Sequence, residues 1–223
     1  MRVELLAALL LLAASSGEIN YTASSVNVAE AGTPVKIRIL RWSTEDETRP
    51  IVMALAAPPA QPSDASRNAA TAAGRGRAGR GRGRGGPALA PLSPIDAFKA
   101  ALGRAPTVGY IWTNDITGYS IKYAWHTALA DGTERVVLVS DRRLGAYTSA
   151  WKPTTSAAET DYTFTLIELH VAPTGGLEGK TSLTQKVVVD GDVKSVVLDN
   201  YQAGTVTLTG KPAAASPRPT AHP

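Results

Sequence analysis

Hydrophobic and polar positions alternate along much of this chain. In "PVKIRILRW", residues 34–42, Val35, Ile37 and Ile39 fall on one side while Lys36, Arg38 and Leu40 fall on the other. A period of two marks a half-buried strand. Residues 119–129, "YSIKYAWHTAL", repeat the pattern: Tyr119, Ile121, Tyr123, Trp125 and Leu129 share one face, and Ser120, Lys122, Ala124 and His126 the other. Less regular runs predict strands over 18–28, 107–113, 134–140, 162–171 and 205–209, with 162–171 buried on at least one face. Residues 179–190 and 193–200 flank Asp190-Gly191, a dipeptide suited to a tight hairpin turn.

Two segments carry helix signals instead. Ser43-Thr44 followed by Asp46 and Glu47 reads as a capping box, so a short helix is expected over 45–56, kinked or split by Pro50. In "SPIDAFKAALGRAP", Ser93 is the N-cap, Pro94 takes the first helical position, and Ile95, Phe98, Ala101 and Leu102 share a face. Gly103 and Pro106 end it.

Between these helices periodicity is lost. Residues 57–92 are Ala, Pro, Gly, Ser and Arg, a composition that cannot bury enough apolar area to offset ordering entropy. The economical architecture is mainly β with some α: an antiparallel β-sandwich or curved sheet of about nine strands, with two short helices packed at one end. It is one domain in two pieces, 18–56 and 93–210, interrupted by a disordered Arg/Gly-rich insert over 57–92 and followed by a frayed tail over 211–223. The first piece is too short for a core of its own.

Charge changes the picture by its location. The formal net charge is +4. Residues 57–92 carry six arginines against Asp64, a net of +5, so the remainder sums to −1. The basicity belongs to the insert. Arg2 precedes an unbroken apolar run over residues 5–14, and Ala14-Ser15-Ser16 supplies small residues for cleavage. That is the pattern of a secretory signal peptide over 1–17, too short to span a bilayer. The mature chain is expected to begin near Gly17 or Glu18, to lack a transmembrane segment, and to reside in the periplasm or outside the cell. There are no cysteines, which excludes thiol nucleophiles and thiolate metal sites.

Candidate chemistry is sparse. "GRGRAG", residues 74–79, is a literal G-x-G-x-x-G, but no strand delivers it and no helix follows, so it is not a dinucleotide loop. Arg75, Arg77, Arg80, Arg82 and Arg84 form a candidate anion-binding segment akin to RGG boxes, without interleaved aromatics. Such contact with lipid, glycan or nucleic acid is weak and salt-sensitive, and no specific nucleic-acid motif accompanies it. Of the three histidines, His126 and His170 lie on expected strands and His222 in the tail. Glu168 and His170 share a face and could do acid–base or metal work, yet no spaced ligand set accompanies them, and no cofactor is implied. Trp42, Trp112, Trp125 and Trp151 fit either a ligand surface or plain packing. Asn20-Tyr21-Thr22 matches a glycosylation sequon.

"APTVGYIWTNDITGYSIKYAW", "SDRRLGAY" and "DYTFTLIELHV", with the nearby Gly176–Lys180 stretch, resemble secreted proteins of soil bacteria, Acidobacteria in particular. The resemblance spans about residues 107–209 and implies an exported bacterial protein; it carries over no functional residue. Within it, "SDRRLG" is the most polar stretch without a structural explanation, making Asp141, Arg142 and Arg143 candidate site residues. The leading expectation is a non-enzymatic, envelope-associated or extracellular binding domain. The competing readings are polyanion binding through the insert, and an enzyme whose site joins Asp141 and Arg142 to Glu168 and His170.

Overall fold

Residues 18–58, 92–115, 117–192 and 194–212 are described in a computed structural model of the chain. The alternating segments pair mostly with their neighbours in sequence, as short turns dictate. They are β1 (Ile19–Val26), β2 (Pro34–Ile39), β3 (Gly109–Trp112), β4 (Tyr119–Ala128), β5 (Glu134–Ser140), β6 (Thr165–Val171), β7 (Leu177–Thr181), β8 (Val187–Asp190), β9 (Ser195–Leu198) and β10 (Thr207–Pro212). Helices α1 (Glu45–Ala56) and α2 (Pro94–Arg104) fall between β2 and β3.

The fold is mainly β with two helices, but it is not a sandwich. Strands β1 to β7 run in sequence order and β10 returns between β7 and β1, closing an antiparallel barrel of eight strands. The closing register runs from Tyr21↔Pro212 to Val26↔Thr207. Period-two alternation reports that one face of a strand is buried; it carries no information on whether the first and last strands meet. Closure leaves no sheet edge to protect. Gly210 permits the approach of β10 to β1, since a Cβ there would collide with the Thr22 carbonyl.

Two cores result. Val35, Ile37, Ile111, Leu138, Ile167 and Leu208 are among the residues filling the barrel interior. A second core lies outside it, where Val137, Val139, Phe164 and Leu166 meet Ile51 of α1, Phe98 and Leu102 of α2, and Val196 and Leu198 of β9. The helices therefore cover an outer wall, not an end of a sheet. The expected strand over 179–190 breaks at residues 182–186. Its second half pairs with β9 in a separate two-stranded sheet, which packs on the same wall. The wall of β4–β6 is thus covered.

Strand β4 serves both cores through a bulge between Ile121 and Tyr123. The extra residue shifts the phase of the pleat. Tyr119 and Ile121 point into the barrel, while Tyr123 and Trp125 point outward against the helices. The five-residue apolar face read from the alternation is therefore two faces. Tyr123 reaches Ser195 of β9, hydroxyl to hydroxyl at 2.7 Å, and burial pushes its phenol up to about 12.

Both helices start as the sequence indicates. The Thr44 N–H donates to Glu47 Oε2 at 2.9 Å, and the Asp96 N–H donates to Ser93 Oγ at 3.1 Å. Helix α1 runs through Pro50 without a break. The proline is exposed, and its missing N–H would have met the carbonyl of Asp46, four residues earlier and also exposed.

The end of the barrel below Ser140 is plugged by residues 141–153, which insert Leu144, Ala150 and Trp151 into the interior core. Gly145 makes the plug possible. Its φ is +74°, and a Cβ there would sit 2.7 Å from Trp151 Cβ.

Candidate functional site

Glu168 is the most deeply buried carboxylate of the described residues, 2 % exposed beneath the β8–β9 hairpin. A buried charge needs partners, and it has them. Glu168 Oε2 accepts the Leu198 N–H at 3.0 Å. Its Oε1 lies 3.1 Å from His170 Nε2 and 3.5 Å from Arg135 Nε. Arg135 extends to Asp190 of β8 at 3.2 Å. His170 stacks on Tyr201, ring centroids 3.8 Å apart and planes within 4°. Burial, then the charges of Glu178 and Glu168, push the Tyr201 phenol well up. Sequence reasoning joined Glu168 to His170 correctly but missed Arg135, which the β5–β6 register sets opposite His170. The cluster bolts the hairpin to the barrel, and both Glu168 oxygens are used in doing so.

Asp141, Arg142 and Arg143 lie elsewhere. Val137 pairs with Glu168 and Ser140 with Thr165. Asp141 is therefore about four residues, roughly 13 Å, along the wall from Glu168, and farther from His170. The four residues of the expected enzyme site do not converge. Arg142 donates to the Gly118 carbonyl and to Thr117 Oγ1, with its guanidinium 5.2 Å over the Tyr119 ring. Arg143 donates to the Thr160 carbonyl at 2.8 Å and to Glu159 at 3.1 Å. Tyr119 donates to Asp115 and accepts from the Gly145 N–H; burial, then that carboxylate, pushes its phenol up. The "SDRRLG" segment thus fastens the plug to the barrel through backbone carbonyls.

His126 stacks on Trp42 at 4.1 Å and pairs with Glu134 at 2.7 Å. Among the described residues, no group of three or more His, Asp and Glu could hold a metal ion. The candidate anion-binding arginines, Arg75, Arg77, Arg80, Arg82 and Arg84, lie outside the described residues, as do the "GRGRAG" stretch and His222.

The tryptophans divide. Trp151 is buried in the plug, Trp42 and Trp125 are partly buried against the two cores, and Trp112 is 39 % exposed. Trp112 and Tyr110, 38 % exposed, project outward from β3, their centroids 5.5 Å apart. Register sets Trp112 beside Lys36 and Tyr110 beside Arg38. An open groove of about 920 Å³ runs along this wall, lined by Glu18, Asn20, Thr22, Lys36, Arg38 and Trp112 among others. Arg38 grips Glu18 with both forks, Nε to Oε1 at 2.5 Å and Nη2 to Oε2 at 2.6 Å. That hydrogen bonding holds the Glu18 carboxyl below its usual range.

The chain matches no family model, no curated protein and no solved structure. Its own geometry is what remains, and the wall of β1–β3 is where that geometry leaves binding groups unspent. The signal was present in "GYIW": Gly109 and Ile111 face in, so the two aromatics must face out beside the polar side of β2. The sequon residues Asn20 and Thr22 stand on the same wall.

Proposed function

We propose that this chain is an exported, non-enzymatic binding barrel of the cell envelope or its surroundings, engaging its ligand on the outer wall of β1–β3. One observation carries the reading. Tyr110 and Trp112 occupy outward positions where a solvated strand calls for polar residues, while aromatics such as Tyr123, Phe98 and Phe164 are consumed in packing. Exposed aromatics grouped on one face mark interaction surfaces more often than scattered ones do. Export is supported by the apolar run over 5–14 with its small-residue cleavage signal and by the resemblance to secreted bacterial proteins.

The test is co-sedimentation of the mature protein with isolated bacterial envelopes. Retention by wild type and its loss in a Tyr110→Ala/Trp112→Ala double variant of unchanged Tm is the expected result. Equal retention by both rejects the wall.

A second reading keeps the insert as an anion-binding arm, favoured by its net charge of +5 in an otherwise near-neutral chain. Replacing residues 61–90 with a short Gly/Ser linker should then lower the salt concentration needed for elution from heparin. Unchanged elution removes that role.

A further inference from the structure

We infer that the wall of β1–β3, continued onto β10, binds an acidic polysaccharide: Tyr110 and Trp112 stack on its sugar rings, and Lys36 and Lys211 pair with its carboxylates. This rests on the reading of the wall as the binding surface and names what that surface takes.

The pairing registers lay the groups out in rows. Trp112 on β3 is opposite Lys36 on β2, Lys36 opposite Thr22 on β1, and Thr22 opposite Lys211 on β10. At the usual strand spacing this row is about 14 Å long. A second row runs from Tyr110 through Arg38 to Asn20. All point outward, as the buried positions between them require.

Charge separates the wall from its surroundings. Lys36 and Arg38 line the groove with Glu18 and Lys211 continues it on β10, while the chain outside residues 57–92 sums to −1. Among the described residues neither lysine meets a carboxylate. The arginines nearby are engaged: Arg38 with Glu18 and Arg41 with Glu47. Exposed, unpaired cations in line with exposed aromatics complement an anionic chain laid across the strands.

The rings favour sugar over nucleobase. Their planes are tilted 38° to one another, so they do not make the parallel platform on which successive flat bases stack. The puckered, C–H-rich face of a pyranose needs no such parallelism. Thr22 and Asn20 supply hydroxyl and amide groups that match sugar hydroxyls. Gly118 lies against the ring: a Cβ there would come within 3.1 Å of Trp112 Nε1, so the indole would have to shift by a few tenths of an ångström to accept one.

Glu18 already occupies one cation of the wall. Its carboxylate sits in the Arg38 fork in the two-oxygen geometry a uronate would adopt. It is a stand-in for the ligand, and a competitor.

The experiment is affinity electrophoresis of the mature chain, insert retained in every variant, through gels containing polygalacturonate or its methyl ester, with single-stranded oligonucleotide binding measured alongside. Polygalacturonate should retard wild type and the ester much less. Trp112→Ala should weaken binding about tenfold, and Lys36→Gln or Lys211→Gln about threefold each, with a shallower salt dependence. Glu18→Gln should strengthen it about twofold, an effect no merely structural role for Glu18 produces. Tm of each variant, measured in parallel, separates binding from folding. Retardation by acid and ester alike, still lost in Trp112→Ala, overturns the acidic class and leaves the wall standing. Tighter, Trp112-dependent binding of the oligonucleotide overturns the polysaccharide. Equal retardation of wild type and Trp112→Ala overturns this inference, and envelope retention independent of Trp112 overturns the wall as well.

Discussion

On one side of the barrel, β4, β5 and β6 send side chains into two cores at once; on the other, β1, β2 and β3 send them into one. The sequences record the difference. Strand β2 alternates without exception between exposed and buried positions. In β5, Val136 to Ser140 are buried without interruption, because odd residues meet the helices and even ones the barrel interior. A continuous apolar run is what a strand covered on both faces needs. The comparison teaches where to look for binding: on a covered wall an aromatic is explained by packing, and on a bare wall it is not.

Substitutions on the two walls should differ in what they cost. Phe98→Ala, at a fully buried contact between α2 and the covered wall, should cost about 4 kcal/mol in urea denaturation. Glu168→Ala should cost about 3 kcal/mol, since it leaves the buried Leu198 N–H without an acceptor and Arg135 with Asp190 as its remaining carboxylate. Proteolysis near Gly191 should accelerate in that variant if the cluster is a bolt for the hairpin; unchanged cleavage would detach the two. Gly145→Ala should cost about 2 kcal/mol, from the left-handed backbone and the contact with Trp151 together.

A smaller effect is tied to pH. Hydrogen bonding to Arg41 lowers Glu47 from the ordinary 4.5 to about 2. Its folded form is favoured when charged, so this contribution is complete above about pH 4.5 and lost as pH falls toward 2. Urea midpoints of wild type and Glu47→Gln should therefore differ at neutral pH and converge near pH 2. Smallest of all, Trp112→Ala on the bare wall should change stability by no more than about 0.5 kcal/mol. A large loss there would mean that the indole is structural after all.

Much of this was legible where the cause is local. The N-caps of α1 and α2 depend on residues three positions apart, and both helices begin where those residues stand. Strand β5 occupies 134–140, where its apolar run lies. What escaped depends on distant groups. Closure joins residues almost the whole chain apart. The bulge in β4 is set by which core each half must enter, and nothing in "SIKYA" announces it. Arg142 and Arg143 looked like site residues because their partners are carbonyls at Gly118 and Thr160, and a backbone carbonyl has no sequence signature. The exposed aromatic pair was readable, once β3 is placed beside β2.

The pairing of β1 with β10 has a consequence for how the chain could be rewired. Pro212, the last residue of β10, stands one strand spacing from Tyr21, two residues inside the start of β1. A short peptide joining them, with new ends opened inside residues 57–92, would give a circular permutant with every strand kept in place. In it the seam of the barrel becomes an ordinary hairpin, the mean sequence separation of contacts falls, and refolding should quicken at equal stability.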